Sequence, residues 1–253
     1  MCFECEMTKA VSGHRRAVTA RFLRRTGEYE DRLARKLIPY FGKQKKVVLA
    51  LLHATATKSI TDVEQAAWDD LDAELQALIK PLYDEIILST GGIIAADIGA
   101  SFSVLNDRVL AFVESKLAKI VDCNRTTQDA IEAVLRAGLE HGDDIQFIAN
   151  GIEGVFEDAI GNRAVVIART EVIGASNWAT FEAYTQSEVV ALKEWLTTVD
   201  GRQRPAHEDA NNQAVPLKEP FIVDGEELMY PGDPAGSAEN IIQCRCTLVA
   251  VIK

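Results

Sequence analysis

The chain has 253 residues, 47% of them hydrophobic, and a formal net charge of −11, so it can bury a core in one or two domains and is too apolar for a disordered tail. No apolar run reaches the roughly 18 residues of a membrane-spanning helix, because residues 86–98 are broken by Ser89, Gly91, Gly92 and Asp97. Met1-Cys2-Phe3-Glu4-Cys5-Glu6 lacks the basic start and apolar centre of a secretory signal, and five cysteines in no even framework predict reduced thiols.

Charge is unevenly spread: residues 1–46 hold twelve Lys or Arg against five Asp or Glu, and the remainder fifteen against thirty-three. The basic segment reads as helix. Val18 and Phe22 lie four apart, with Arg15, Arg16, Arg21, Arg24 and Arg25 on the remaining surface. Gly27 is expected to interrupt it, after which Tyr29, Leu33, Leu37 and Phe41 continue the stripe, with Arg32, Arg35 and Lys36 facing elsewhere, until Pro39 kinks or ends it. A short apolar helix over 47–53 and a polar connection over 55–59 follow.

Thr61 and Glu64 form a capping box ahead of Trp68, Leu71, Leu75, Leu78, Leu82 and Ile86, the stripe of a long amphipathic helix. Pro81 predicts a kink near Leu78, and Gly91-Gly92 punctuates the chain. Further helices are expected over 106–122, 127–141 and 144–156, facing inward through Val109, Val113, Leu117 and Ile120, then Ile131, Val134, Leu135 and Leu139, then Ile145, Ile148, Ile152 and Val155. One more runs from Asn162 to about Tyr184 with Val165, Ala168, Val172, Ala175 and Ala179 on its buried face.

Strand-like runs then appear at 189–195, 221–223, 228–230 and 244–252. In the last of these, Cys244, Cys246, Leu248, Ala250 and Ile252 share one face and Arg245, Thr247, Val249 and Val251 the other, which predicts a strand buried on both sides and central in its sheet. The fold class is α+β: a mainly helical amino-terminal two-thirds and a small carboxy-terminal α+β module. The expected division is a basic helical arm over 1–57, a helical region over 58–160 and the terminal module over 161–253.

The residues with chemical character gather late in the chain: Arg169 and Glu171 on a helix, Trp195, the polar stretch Asp200, Arg202, Arg204 and His207, and Cys244-Arg245-Cys246. Two positions on a helix differ by about 200°, so Arg169 and Glu171 cannot pair with each other. They are expected to clamp their helix to the Asp200–Arg204 loop. His207, Cys244 and Cys246 are three soft ligands where structural zinc takes four, and Asp200 or Asp209 could complete the set. The bland reading packs both cysteines as small buried residues and lets His207 hydrogen-bond Asp200, with no cofactor; it is the one adopted. Cys2 and Cys5 have ligand spacing but sit at a terminus without a second pair.

ADP-ribosyltransfer, which an Arg and a Glu together suggest, also wants a Ser-Thr-Ser strand and a Glu-x-Glu or Gln-x-Glu pair, absent in that order. Asp200, His207 and Asp209 with Arg202 and Arg204 are the ingredients of a metal-dependent nuclease or hydrolase. No Ser-His-Asp spacing, glycine-rich phosphate loop or HExxH supports an enzyme, and none is expected. The arginines and lysine of the basic arm suit DNA phosphates, an acidic protein surface or the chain's own acidic body.

Ala168-Arg169-Thr170-Glu171, the Trp195 to His207 stretch, Pro216-Leu217, Pro231-Gly232-Asp233-Pro234 and Cys244-Arg245-Cys246, in that order, resemble the phage Mu F-like minor head proteins, the head morphogenesis family of tailed phages. The resemblance is strongest over 127–246 and weaker over 47–122. It implies a minor capsid protein present in few copies at the portal vertex inside the procapsid, assisting head assembly and genome packaging or ejection. Its partners would be portal, capsid or scaffold proteins and double-stranded DNA, with no membrane, in the host cytoplasm and then the virion. The alternatives are a DNA-binding accessory protein injected with the genome and a phage hydrolase or nuclease. Some relatives carry a toxin domain beyond the Cys-Arg-Cys strand; with seven residues after Cys246, this module is expected to stand alone. Several have Cys-x-x-Cys where this chain has Arg204-Pro205-Ala206-His207, which leaves a zinc site short of ligands.

Overall fold

The computed structural model describes residues 3–54, 61–198 and 200–251, and the side chains of 13–53, 65–198 and 200–251. The connection expected over 55–59, the side chains of the Thr61–Glu64 capping box and those of Cys2 and Cys5 lie outside the described residues. The helices are α1 (Phe3–Ala54), α2 (Thr61–Asp97), α3 (Asp107–Ile120), α4 (Asp122–His141) and α5 (Ile145–Asp158). A π-helical turn over Ala159–Arg163 leads into α6 (Ala164–Ser187). Then follow β1 (Leu192–Leu196), α7 (Pro205–Asp209), β2 (Ala214–Pro216), β3 (Phe221–Val223), β4 (Glu226–Leu228), α8 (Ala238–Ile241) and β5 (Thr247–Val251). The α+β reading holds, with helices first and a small sheet module last.

Several expected interruptions are absent. Helix α1 runs unbroken through Gly27 and Pro39 and absorbs the short helix expected at 47–53. A helical glycine costs about 1 kcal/mol relative to alanine, and buried Phe22, Tyr29, Leu33, Leu37, Tyr40 and Phe41 outweigh it. Pro39 and Pro81 both fall on exposed faces, where water can satisfy the carbonyl each proline frees. Helix α2 likewise continues past Gly91-Gly92. Gly91 is there for room: a Cβ would come within 2.3 Å of the Phe102 ring.

The chain forms two compact units, one comprising residues up to Glu30, Tyr83–Val109 and Arg169 onward, the other Asp31–Leu82 and Leu110–Ala168. In the second, a buried polar knot orders the helices. The Tyr40 hydroxyl donates to Asn124 Oδ1 at 2.8 Å, Gln44 Nε2 donates to the same oxygen at 3.0 Å, and Asn124 Nδ2 donates to Asp72 at 2.7 Å. Arg163, on the π-helical turn, reaches the Cys123 carbonyl and Thr127 hydroxyl and lies over the Phe41 ring. The faces of α4 and α5 are rotated from those expected: Leu139 and Ile145 are exposed, while Gly138 packs against Ile148 and the buried row of α5 is Ile148, Ala149, Ile152 and Phe156. Asp144 caps α5 by accepting from the Phe147 amide.

In the other unit α6 is enclosed on all sides rather than one: every residue from 172 to 184 is buried, whereas Val165 is exposed. Small residues allow this. Gly174 sits against the Pro231–Pro234 turn, with the Gly232 carbonyl 3.1 Å from where a Cβ would stand. The sheet order is β2-β1-β5, all antiparallel, with β3 and β4 forming a separate hairpin. The expected central role of the last strand is therefore corrected: β1 is central and, among the described residues, β5 pairs only with β1. Two-sided burial of its first residues misled the pattern, because helical side chains cover what a neighbouring strand would. Thr247 Oγ1 donates to Asn177, and the Ala250 amide on the outer edge donates to the Tyr184 hydroxyl. The strand expected at 228–230 is β4, two residues earlier; 230 begins the turn.

Gly232 has φ +81°, and a Cβ there would meet the Gly174 backbone at 3.1 Å. Gly232→Ala is expected to destabilise the protein by about 1–3 kcal/mol, since backbone strain and a backbone clash coincide; urea denaturation measures it.

Candidate functional site

The sequence-singled residues converge, but on a strap of chain rather than on one another. The strap, Ile242 to Cys246, leads into β5. From α6, Arg169 Nη1 donates to the Gln243 side chain at 3.1 Å and the Thr170 hydroxyl accepts from the Gln243 amide at 3.0 Å, where Gln243 itself adopts φ +57°. From the polar loop, Arg204 donates to the Ile242 carbonyl, and Asp200 pairs with Arg245 at 3.3 Å while holding Arg202 at 2.7 Å. The Thr198 hydroxyl donates to the Arg245 carbonyl at 2.7 Å.

The direct clamp expected between Arg169 and the Asp200–Arg204 loop is thus corrected. Arg169 pairs with Glu30 of α1 at 3.1 Å, and Glu171 accepts from the Tyr83 hydroxyl. Helix and loop each bind the strap, so it stands between them.

Asn177, not singled out from sequence, is the deepest fastener. Fully buried, its Nδ2 donates to the Pro231 and Cys246 carbonyls, both at 2.9 Å, and its Oδ1 accepts from Thr247 at 2.9 Å. An amide is the one side chain type that supplies two donors and an acceptor there without charge. No sequence signal marks it, because an Asn inside a helical pattern reads as a neutral surface choice.

Lys193 was also missed. It shares a β1 face with Trp195, and its ammonium lies 4.8 Å from the Phe181 ring centre and 4.9 Å from that of Phe221 while donating to the Met229 carbonyl at 2.7 Å. Burial pushes its pKa down to about 8, opposed by Asp233. A lysine two residues before a core tryptophan on a strand was the available signal. Glu194, on the other face, takes Arg15 of α1 at 2.8 Å.

Trp195 is the hub of a cluster with Ala210, Phe221, Val223, Leu228, Cys244 and Cys246, edge-on to Phe221 and to His207. His207 does not bond Asp200 as expected. Its Nδ1 faces Cys246 Sγ at 3.3 Å and Cys244 Sγ at 3.8 Å, and its buried Nε2 has no partner. The hydrogen bond with Cys244, then the His207 ring, hold the Cys246 thiol well below the ordinary thiol range against burial; the same bond and burial push Cys244 well above it. Among the described residues neither Asp200 nor Asp209 joins this trio.

Of the basic positions on α1, Arg16, Arg21, Arg24, Arg32, Arg35 and Lys36 are exposed. Arg15 is taken by Glu194, and Arg25 is half-buried beside a cavity of about 170 Å³ that Phe22, Asp97 and Tyr184 also line. Among the described residues, no helix is long and apolar enough to cross a membrane.

Residues 129–249 match the family described as Phage Mu protein F like protein. The chain is 29% identical to the uncharacterized protein YqbB of Bacillus subtilis (strain 168), over 89% of this chain and 78% of that one. It is 30% identical to the NAD(+)--arginine ADP-ribosyltransferase EFV of Enterococcus faecalis (strain ATCC 700802 / V583), over 46% of this chain and 24% of that enzyme. No solved structure matches it significantly.

Two outcomes are expected. Asn177→Ala strands two buried carbonyls and a hydroxyl and lowers the unfolding free energy by about 2–4 kcal/mol, read by urea denaturation. Lys193 has a folded pKa of about 8 against an ordinary 10.5, so between those values the unfolded chain holds more protons and stability rises with pH. The wild type therefore gains stability relative to Lys193→Met as pH climbs from about 8 toward 10.5, in paired denaturation series.

Proposed function

We infer, from the match of residues 129–249 to the family described as Phage Mu protein F like protein, that this chain is a non-enzymatic minor head protein acting at the portal vertex during head assembly. The observation that carries the reading is the coincidence of that segment's latter part with the strap and its fasteners. Three motif residues of the resemblance, Arg169, Asp200 and Arg204, fix the strap, Asp200 through Arg245 of the strap itself, and Trp195 packs against its cysteines.

An adhesive role fits the chemistry. The arginine and glutamate that would suggest ADP-ribosyltransfer are occupied, Arg169 by Glu30 and Gln243 and Glu171 by Tyr83. The similarity to the ADP-ribosyltransferase spans about a quarter of that enzyme and is read here as a shared non-catalytic segment. Partners are portal, capsid or scaffold proteins, and the place of action is the head interior. Contact with packaged DNA, the runner-up, would use the exposed Arg16, Arg21 and Arg24, with Arg15 and Arg25 turned inward.

Quantitative mass spectrometry of purified procapsids and mature particles, with and without the portal, checks this. The expected result is a few copies per procapsid, lost when the portal is absent. Particles that never contain the chain overturn the reading.

A further inference from the structure

We propose that His207, Cys244 and Cys246 form a binding site for a zinc-class divalent cation, with a fourth coordination position open to water.

The argument begins with cost. All three side chains are at most 2% exposed. The His207 imidazole has no strong hydrogen-bond partner: Nδ1 meets only two sulfurs, and Nε2 meets nothing. Burying a polar ring without a compensating bond is unfavourable, and an apolar residue would fill the space beside Trp195 without that penalty. A metal–nitrogen bond at Nδ1 recovers the larger part of that cost, the lone pair that faces the two sulfurs, and leaves only the Nε2 proton without a partner.

Geometry agrees. Zn–N near 2.0 Å and Zn–S near 2.3 Å at tetrahedral angles place nitrogen and sulfur about 3.5 Å apart. The observed Nδ1–Sγ separations are 3.3 and 3.8 Å, and all three ligand atoms lie within 4.8 Å of one another. One thiolate has a donor: the Cys246 amide donates to Cys244 Sγ at 3.4 Å. Thr197 gives its own proton to the His207 carbonyl and accepts from the Cys246 thiol at 3.7 Å, so it orients two ligands from the outer shell, and only that long sulfur hydrogen bond is given up when Cys246 ionises.

The three ligands come from two places, α7 and the strap, so a cation would join the polar loop to the strap directly. Beside the trio is a cavity of about 30 Å³, lined also by Thr198, Asp200, Arg204 and Gln243. It has room for about one water molecule, which supplies the fourth position.

The test uses the full chain, purified under reducing conditions, stripped with chelator and titrated with Co²⁺ and then Zn²⁺. The expected result is about one equivalent bound, with thiolate-to-cobalt charge-transfer absorption and tetrahedral d–d bands that Zn²⁺ abolishes. Cys246→Ser and His207→Ala should each weaken Co²⁺ binding by at least about tenfold. The double variant Cys2→Ser, Cys5→Ser should bind as the wild type does, and circular dichroism confirms that each variant is folded. The proposal is overturned if the folded wild type binds no metal, if binding survives Cys246→Ser but is lost without Cys2 and Cys5, or if mass spectrometry finds Cys244 and Cys246 joined in a disulfide in the reduced preparation.

Discussion

One buried amide sets the terms for the carboxy-terminal module. Asn177 lies on a helix with no solvent-facing side over its central turns, and its three hydrogen bonds reach the Pro231 carbonyl, the Cys246 carbonyl and the Thr247 hydroxyl. Those groups belong to two segments that have no ladder partner at those atoms. Without the amide they would be buried polar atoms lacking partners, each costing about 1–3 kcal/mol. The turn can come that close because Gly174 and Gly232 put backbone against backbone. Small residues on α6, a left-handed glycine in the turn and one asparagine are therefore one device.

The charged residues inside the same unit follow the same logic. Strand β1 is central and must bury both faces, yet it carries Lys193 and Glu194 in succession. Each face offers a different solution. Lys193 enters between two aromatic rings and ends on a carbonyl; Glu194 meets an arginine from α1. Such pairs add little net stability against well-packed apolar residues. They do restrict β1 to one register, because a slip by one residue would exchange the lysine and glutamate environments.

Much of the helical framework was legible in the sequence. The stripe from Trp68 to Ile86 and, to within two residues, the bounds of α3 and α5 follow from spacing. What misled was local punctuation. Gly27, Pro39 and Gly91 each have a penalty of a few kcal/mol at most, and long apolar stripes outweigh it. The site was half legible. Arg169, Asp200, Arg204 and the Cys-Arg-Cys run stood out as polar or soft residues in unusual company, but the strap as their common target was invisible: Arg204 and the unmarked Thr170, Asn177 and Thr198 meet its main chain, at the Ile242, Arg245 and Cys246 carbonyls and the Gln243 amide. Sequence names side chains, and a strap held by its main chain leaves no residue-type signature.

That main-chain character also bears on why the fasteners are so varied. A strand edge repeats its partners every second residue, whereas the strap receives two hydroxyls, two guanidinium groups, a carboxylate and an amide from α6 and from the stretch between Thr198 and Arg204. Each of these groups supplies one bond to the strap, so no single substitution among them removes more than a fraction of the whole. The strap is thereby fixed as a rigid body, and it carries the two cysteines into register with His207. Rigidity around a pair of thiols and an imidazole is what a site for a soft ligand needs, since the ordering cost falls on folding and not on binding. The same network that fixes the strap also holds its polar trio in place.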